Sequence, residues 1–262
     1  MDYTLTILLG IVQGVTEFLP ISSDGHLAVA LALYQAATGS KVSDALGLTI
    51  VLHAGTLVAI VVVYWQRIGR LVGEDRRVIG LLIVGTLPAV IIGWPLHHWG
   101  GSILTKPLLA GCMLPLTGIM LIWGASRPVG DTLYRELSHR RALLIGMLQA
   151  VAILPGISRS GTTISAGLAL GLRRDEAATF SFLLAIPAVG GACLLELFKL
   201  LDDAPASTDV GPLAVGAIVS LVAGLISLRW LLRWLQQGRI QYFAWWCIPF
   251  GLAVVAWQMW PV

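Results

Sequence analysis

The chain has 262 residues, 57% of them hydrophobic and 12% charged, with a mean hydropathy of +0.85. Soluble domains carry about 25% charged residues, so this composition excludes a soluble globular protein and defines an integral membrane protein. The net charge of +3 comes with no Lys/Arg cluster of the kind that holds nucleic acid, which excludes that class of partner.

Taken in chain order, the apolar segments are of two kinds. Residues 3–16 and 27–40 are short and are joined by Glu17-Phe-Leu-Pro-Ile-Ser-Ser-Asp-Gly-His26. Three stretches long enough to cross a bilayer follow, at 45–66, 78–95 and 107–124. A second short pair, 142–157 and 160–172, encloses Leu154-Pro-Gly-Ile-Ser-Arg-Ser-Gly-Thr-Thr163, and long stretches return at 177–195, 211–228 and 240–262. The long stretches run 18 to 23 residues, against the roughly 20 that a bilayer core requires. No basic leader precedes the first stretch, so no cleavable signal peptide is expected. Cys112, Cys193 and Cys247 lie far apart in apolar sequence and read as packing residues.

A short pair bent at a proline (Pro20, Pro155) can enter the membrane and leave by the same face. Irregular backbone is tolerated at that depth where it is buried or lines a polar cavity. Each half then holds one re-entrant pair and three spans, and because three is odd the second half is inverted. Ile21-Ser22-Ser23-Asp24-Gly25 aligns with Ile157-Ser158-Arg159-Ser160-Gly161 at an offset of 136 residues. The predicted fold is one all-α membrane domain over 1–262, built of inverted repeats at about 1–124 and 137–262, with ten helical segments of which six span. Broken segments at matching positions of inverted halves point to a site near the midplane. The competing topology makes full spans of 3–20, 21–40 and the 142–172 pair, and would leave Glu17 and Arg159 at the surface.

Charge assigns the sides. Thirteen arginines fall in loops on one face, Lys41, Lys106 and Lys199 fall on the other, and Arg159 is the remaining basic residue. The positive-inside rule makes the rich face cytoplasmic. The termini, the first re-entrant pair and the acidic run Asp202-Asp203…Asp209 then face outward, and the second pair enters from the cytoplasm. Trp65, Trp94, Trp99, Trp123, Trp230, Trp245 and Trp260 lie near segment ends, as interfacial anchors do.

An ionisable side chain at membrane depth costs roughly 2.5–3.5 kcal/mol on insertion scales and marks a functional candidate. Gln13 and Glu17 share a helix face that Pro20 terminates. Ser22 or Ser23 caps the next helix, which puts His26 one turn along. A hydroxyl beside an imidazole and a carboxylate makes a nucleophile, a base and an orienter; the plainer alternative is a cap and a core histidine. In the second loop, Arg159 follows a Pro-Gly turn at a helix start. The N–H groups of Ser160, Gly161 and Thr162 and the hydroxyls of Ser158, Ser160, Thr162 and Thr163 would receive an anion there, and the Arg fork matches phosphate oxygens. The alternative role for Arg159 is pairing with Glu17, and the two are compatible. Glu17, Asp24 and the side-chain carbonyl of Gln13 are the candidate oxygen ligands of a divalent cation arriving with its substrate. His53 lies mid-span, where it either lines the cavity or packs. Glu196 and Lys199 read as an interfacial pair, His97 and His98 as solvated, and Gly55, Gly190 and Gly191 as close helix crossings.

Gln13-Gly-Val-Thr-Glu17-Phe-Leu-Pro-Ile-Ser-Ser-Asp-Gly-His26 closely resembles the first signature of the bacterial undecaprenyl-diphosphate phosphatases of the bacitracin-resistance type. Pro155-Gly-Ile-Ser-Arg-Ser-Gly-Thr162 resembles the second, and the resemblance runs over essentially the whole chain. It implies removal of the terminal phosphate of undecaprenyl diphosphate in the cytoplasmic membrane, at a site open to the outside. The product is the monophosphate carrier for cell-wall polymers. The resemblance also implies a requirement for Mg²⁺ or Ca²⁺. By motif position, Glu17, Ser23, His26 and Arg159 match the catalytic residues, and Ser22 and Gln13 match supporting ones. Gln13 stands where many members carry Glu, and Asp24 where a small hydroxyl residue is frequent. The expected partners are the polyprenyl diphosphate lipid and the bilayer, with a homodimer left open. The attacking group is Ser23, His26 or water. A lipid-phosphate transporter is the rival reading, and a structural role would not need Arg159 within lipid.

Overall fold

In lipid every backbone N–H and C=O must find a partner within the protein, and an apolar chain meets that demand with helices. The structure, a computed structural model, describes residues 2–40, 42, 45–99, 104–202 and 210–260. Lys41, Asp203 and Asp209 lie outside the described residues, as do the side chains of His97, His98, Trp99, Lys199 and Asp202. Ten α-helices follow in order: α1 (Tyr3–Phe18), α2 (Ser23–Thr38), α3 (Ala45–Val72), α4 (Arg76–Trp99), α5 (Pro107–Ala125), α6 (His139–Val151), α7 (Arg159–Ala169), α8 (Arg174–Asp202), α9 (Val210–Gln236) and α10 (Ala244–Met259). Among the described residues the one extended pairing is an isolated bridge between Thr132 and Leu172.

Six helices are long and apolar enough to cross a membrane: α3, α4, α5, α8, α9, and α10 with the 3-10 turn before it. They are the six long stretches of the sequence. The four short segments are α1, α2, α6 and α7, of 16, 16, 13 and 11 residues. Their breaks have local causes. Leu19 leaves the helical region at ψ 138°, as the residue before Pro20 must. Ser22 caps α2 and Ser158 caps α7, each accepting from the N–H three residues on, at Gly25 and Gly161. Gly39 closes α2 in the left-handed region at φ 69°.

Small residues set the packing. α1 lies chiefly on α9, α6 on α4, α5 on α10, and α3 against α8 and α9. A Cβ at Gly14 would stand 2.5 Å from the Ser220 carbonyl, and Ser227 Oγ donates to the Gly14 carbonyl at 2.7 Å. With lipid on the outside there is no hydrophobic drive between helices, so such close approach and inter-helix hydrogen bonds hold the bundle. Gly55 fills its expected part, pressed on the Ala217 carbonyl of α9. Gly190 and Gly191 do not: the first meets only Leu57 Cδ2 at 3.4 Å, and nothing lies within 4 Å of the second. α8 is buried from Ala177 to Ala185 and half-exposed or exposed from Ile186 on, so its outer half is more loosely packed.

Phe18, Tyr64, Leu121 and Phe182 belong to the main core, with the Phe18 and Phe182 rings 5.7 Å apart. The segment joining α5 to α6 is strapped to both sides of the molecule. Tyr134 is buried, its N–H donates to Glu176 of α8 at 2.9 Å, and the Arg77 guanidinium of α4 donates to the Leu137 carbonyl at 2.7 Å. Cys112, Cys193 and Cys247 are free thiols, and Cys247 is buried.

The glycine contacts make a paired prediction. A Cβ at Gly216 would sit 2.7 Å from Thr6 Cγ2 and 3.0 Å from Leu52 Cδ2. Gly216→Leu should therefore destabilise the detergent-purified protein by about 1–3 kcal/mol, read by thermal unfolding, while Gly191→Leu leaves the transition in place.

Candidate active site at the meeting of two loops

The α1–α2 turn and the α6–α7 turn touch. A Cβ on Gly25 would lie 3.0 Å from the Gly156 nitrogen, and one on Gly161 would lie 3.1 Å from Pro20 Cβ. Ser22 is the one non-glycine residue with positive φ among those described, at 71°. Such a conformation costs on the order of 1–3 kcal/mol. Its hydroxyl accepts from the N–H of Gly156 across the gap at 3.0 Å, as well as from Gly25 of its own helix at 3.4 Å. Thr117 of α5 braces the second loop, donating to the Gly156 carbonyl at 2.7 Å and accepting from the Ser158 N–H at 2.9 Å.

At the junction Arg159 Nη2 meets Glu17 Oε1 at 2.6 Å. The other carboxylate oxygen accepts from Ser23 Oγ at 2.7 Å and from Gln13 Nε2 at 3.0 Å. His53 of α3 completes the group: its Nε2 is 3.8 Å from Glu17 Oε2 and 3.6 Å from Asp24 Oδ1, while Nδ1 donates to the Thr49 carbonyl at 2.9 Å. Exposure rises outward, from 6% for the Glu17 side chain through 15% for Arg159 and His53 to 57% for Asp24. Asp24 is thus the member of the group nearest the surface.

Two atoms in this cluster are unsatisfied. Arg159 Nη1 and Gln13 Oε1 are buried without a hydrogen-bond partner. Buried polar groups in folded proteins are mostly paired, so a donor and an acceptor flanking one carboxylate are available to a further partner.

The structure brings Gln13, Glu17, Ser23, Asp24 and Arg159 together, and adds His53. It places His26 apart from that group. His26 Nδ1 points at the Ser22 carbonyl at 2.8 Å, Nε2 accepts from Trp246 Nε1–H at 2.9 Å, and the ring stacks on Phe250. Neither ring nitrogen is spare. The second loop also differs in detail from expectation. Gly161 N–H donates to Ser158 Oγ and Thr162 N–H to the Ser158 carbonyl, so the capping serine takes donors that were expected to face an anion. Ser160 Oγ pairs with Ser158 Oγ at 3.2 Å, Thr162 Oγ1 turns to Met120 sulfur at 3.8 Å, and Thr163 Oγ1 turns to Ser181 at 2.6 Å.

Sequence reasoning passed over Gln149, which lies 136 residues beyond Gln13, the same offset as the two loops. It is buried, and its Nε2 reaches the Gly85 carbonyl of α4 at 3.4 Å. As for a cation, no group of three or more His, Cys, Asp or Glu among the described residues is placed to hold one. Both Glu17 oxygens are committed, which leaves Asp24 and Gln13 Oε1 as the free oxygens. These residues do not form a resident cage.

A many-helix membrane protein that gathers a guanidinium, a carboxylate and a hydroxyl between two broken segments belongs to the class that handles an anionic headgroup within the bilayer. The comparisons with known proteins are more specific. Residues 6–253 match the family described as Bacitracin resistance protein BacA, and the chain belongs to that family. An undecaprenyl-diphosphatase of Rhodopirellula baltica is 50% identical over 251 residues, covering 95% of each chain. One of Desulfatibacillum aliphaticivorans is 39% identical over 280 residues, covering 97% of this chain and 98% of its own. One of Methanosphaera stadtmanae is 36% identical over 278 residues, with the same coverage.

Removing one member of a buried ion pair strands the other, at a cost of about 3–5 kcal/mol. Glu17→Leu and Arg159→Leu should each destabilise on that scale, and the double variant by clearly less than the sum. A thermal double-mutant cycle in detergent measures the coupling.

Proposed function

We propose that this chain hydrolyses undecaprenyl diphosphate to undecaprenyl phosphate and inorganic phosphate, which returns the carrier lipid to cell-wall synthesis. The observation that carries the reading is the Arg159–Glu17–Ser23 chain, with Ser23 Oγ 2.7 Å from a carboxylate oxygen whose partner oxygen holds Arg159. The relatives' activity agrees with it.

In this reading the unpaired Arg159 Nη1 takes an oxygen of the terminal phosphate. Most of the rate comes from such positioning and charge stabilisation. Ser23 Oγ passes its proton to Glu17 and attacks the terminal phosphorus. The P–O anhydride bond breaks and undecaprenyl phosphate leaves. Glu17 gives that proton to the departing phosphate oxygen and then takes one from a water, whose oxygen attacks the phosphorus. The Ser23 Oγ–P bond breaks, inorganic phosphate leaves, and Ser23 Oγ recovers the proton from Glu17. His26 holds the first turn of α2 rather than taking this proton. Direct attack by water skips the covalent stage, and a phosphate on His26 is the other branch. Labelled phosphate trapped on Ser23, on His26 or on neither separates the three. Asp24 and Gln13 Oε1 would be the oxygens offered to a Mg²⁺ or Ca²⁺ ion carried in by the diphosphate, which would supply charge neutralisation there.

The same proposal places the protein in the bacterial cytoplasmic membrane with the termini and the site outward. The thirteen arginines gathered on the opposite face support this. Inverted repeats with two re-entrant pairs are supported by reciprocal contacts. The Gly25–Gly156 and Pro20–Gly161 approaches exchange under the 136-residue offset, as do the serine caps. One chain supplies every group named, so the reading does not need a homodimer.

The test is phosphate release from a polyprenyl diphosphate by detergent-purified protein. Ser23→Ala and Arg159→Ala should each lower kcat/KM by at least about 100-fold, and excess chelator should suppress turnover. An active Arg159→Ala enzyme removes the clamp. Transport of the lipid by a protein without hydrolase activity, in sealed vesicles, favours the carrier reading.

A further inference from the structure

The proposed hydrolysis leaves open how the protein tells a prenyl diphosphate from other diphosphate esters. α2 packs on α1 and α5, and α10 packs on α5; α2 and α10 share little backbone contact with each other. Three rings bridge the gap between them. His26 and Phe250 stack at 4.7 Å and 12°, Trp246 and Phe250 at 5.3 Å and 15°, and His26 and Trp246 lie 6.2 Å apart at 15°. His26 and Trp246 lie nearly edge to edge, joined by the Trp246–His26 hydrogen bond at 2.9 Å, and Phe250 stacks across both, which makes a two-layer aromatic slab. His26 is 9% exposed, whereas Trp246 is 51% exposed on the outer surface of the bundle.

The inner edge of the slab lies one helical turn from Ser23. His26 sits three residues after Ser23 on the same helix, a spacing that brings Cβ atoms to roughly 5–6 Å. A lipid whose terminal phosphate meets Arg159 and Ser23 must carry its first hydrocarbon units out of a polar cavity into the bilayer, and the rings lead from one to the other. Moving a tail from lipid onto protein gains nothing from the hydrophobic effect, because both surroundings are apolar. Any preference there must come from shape. Flat trisubstituted double bonds fit an aromatic face, and a puckered saturated chain does not.

We infer that Trp246 and Phe250, held by His26, form the seat of the first prenyl units and select unsaturated prenyl diphosphates over saturated ones. The inference rests on the hydrolase reading above. Phosphate release should be compared for farnesyl diphosphate and its fully saturated analogue. The wild type should prefer the unsaturated ester, and Trp246→Leu should cut that kcat/KM ratio by roughly fivefold, while Trp246→Phe retains most of it. No preference in the wild type, an unchanged ratio in Trp246→Leu, or an equal loss on both esters would each overturn the seat; the last would leave Trp246 acting only through His26. A photoreactive prenyl diphosphate provides a readout independent of turnover. It should label the Ala244–Met259 helix of the wild type, and labelling confined to other helices overturns the proposal. Should the wild type release phosphate from neither ester, the hydrolase reading falls, and the labelling still decides the seat.

Discussion

The ion pair between Arg159 and Glu17 joins parts of the chain 142 residues apart, and the rest of the site is arranged around it. Both side chains are largely buried, so either charge left alone would be costly. Together they are held by a serine, a glutamine and the backs of two capped helices. One guanidinium nitrogen is spent on the pair and another is buried and unengaged. The same residue therefore locks two loops and still has a donor to offer. In the proposed reaction, stability and recognition draw on different atoms of one side chain.

The frame that holds this pair is made mostly of absence. Gly14, Gly25, Gly55 and Gly161 stand where a side chain would collide with backbone or neighbouring residues. Hydroxyls then tie helices together through carbonyls that close approach brings within reach, as Ser220 does to Leu52 at 2.8 Å. Under the site lies a core of aromatic and aliphatic side chains. To one side the Tyr134 strap engages α4 and α8 alike, through Asp75 and Arg77 and through Glu176.

Much of this was legible in the sequence because its causes are local. Segment length separated six spans from four short helices, proline placed the breaks, and serine placed the caps. Helix ends were less legible. α3 continues to Val72 and α8 begins at Arg174, since arginine-rich flanks remain helical beyond the apolar run. The loops were read as a pair from their offset, and Glu17 with Arg159 from their rarity in lipid. What failed to show was tertiary. His53 had no local signal that it would stand over Glu17 and Asp24 in place of His26. Trp246 had no part in the sequence reading, and its indole meets an imidazole 220 residues away. Gly191 had the right residue type, but no other helix comes within 4 Å of where its side chain would stand.

Ser22 carries one consequence further. Its backbone is bent into a region that a side chain resists, and the hydroxyl that offsets this reaches over to the opposite turn. Its counterpart Ser158 is relaxed, at φ −74°. The two hairpins are thus unequal: one is a spring, the other its catch. Any parting of the pair would let the first recoil, so the resting geometry of the serine hairpin is set from across the cavity, by a glycine amide that takes no part in the chemistry.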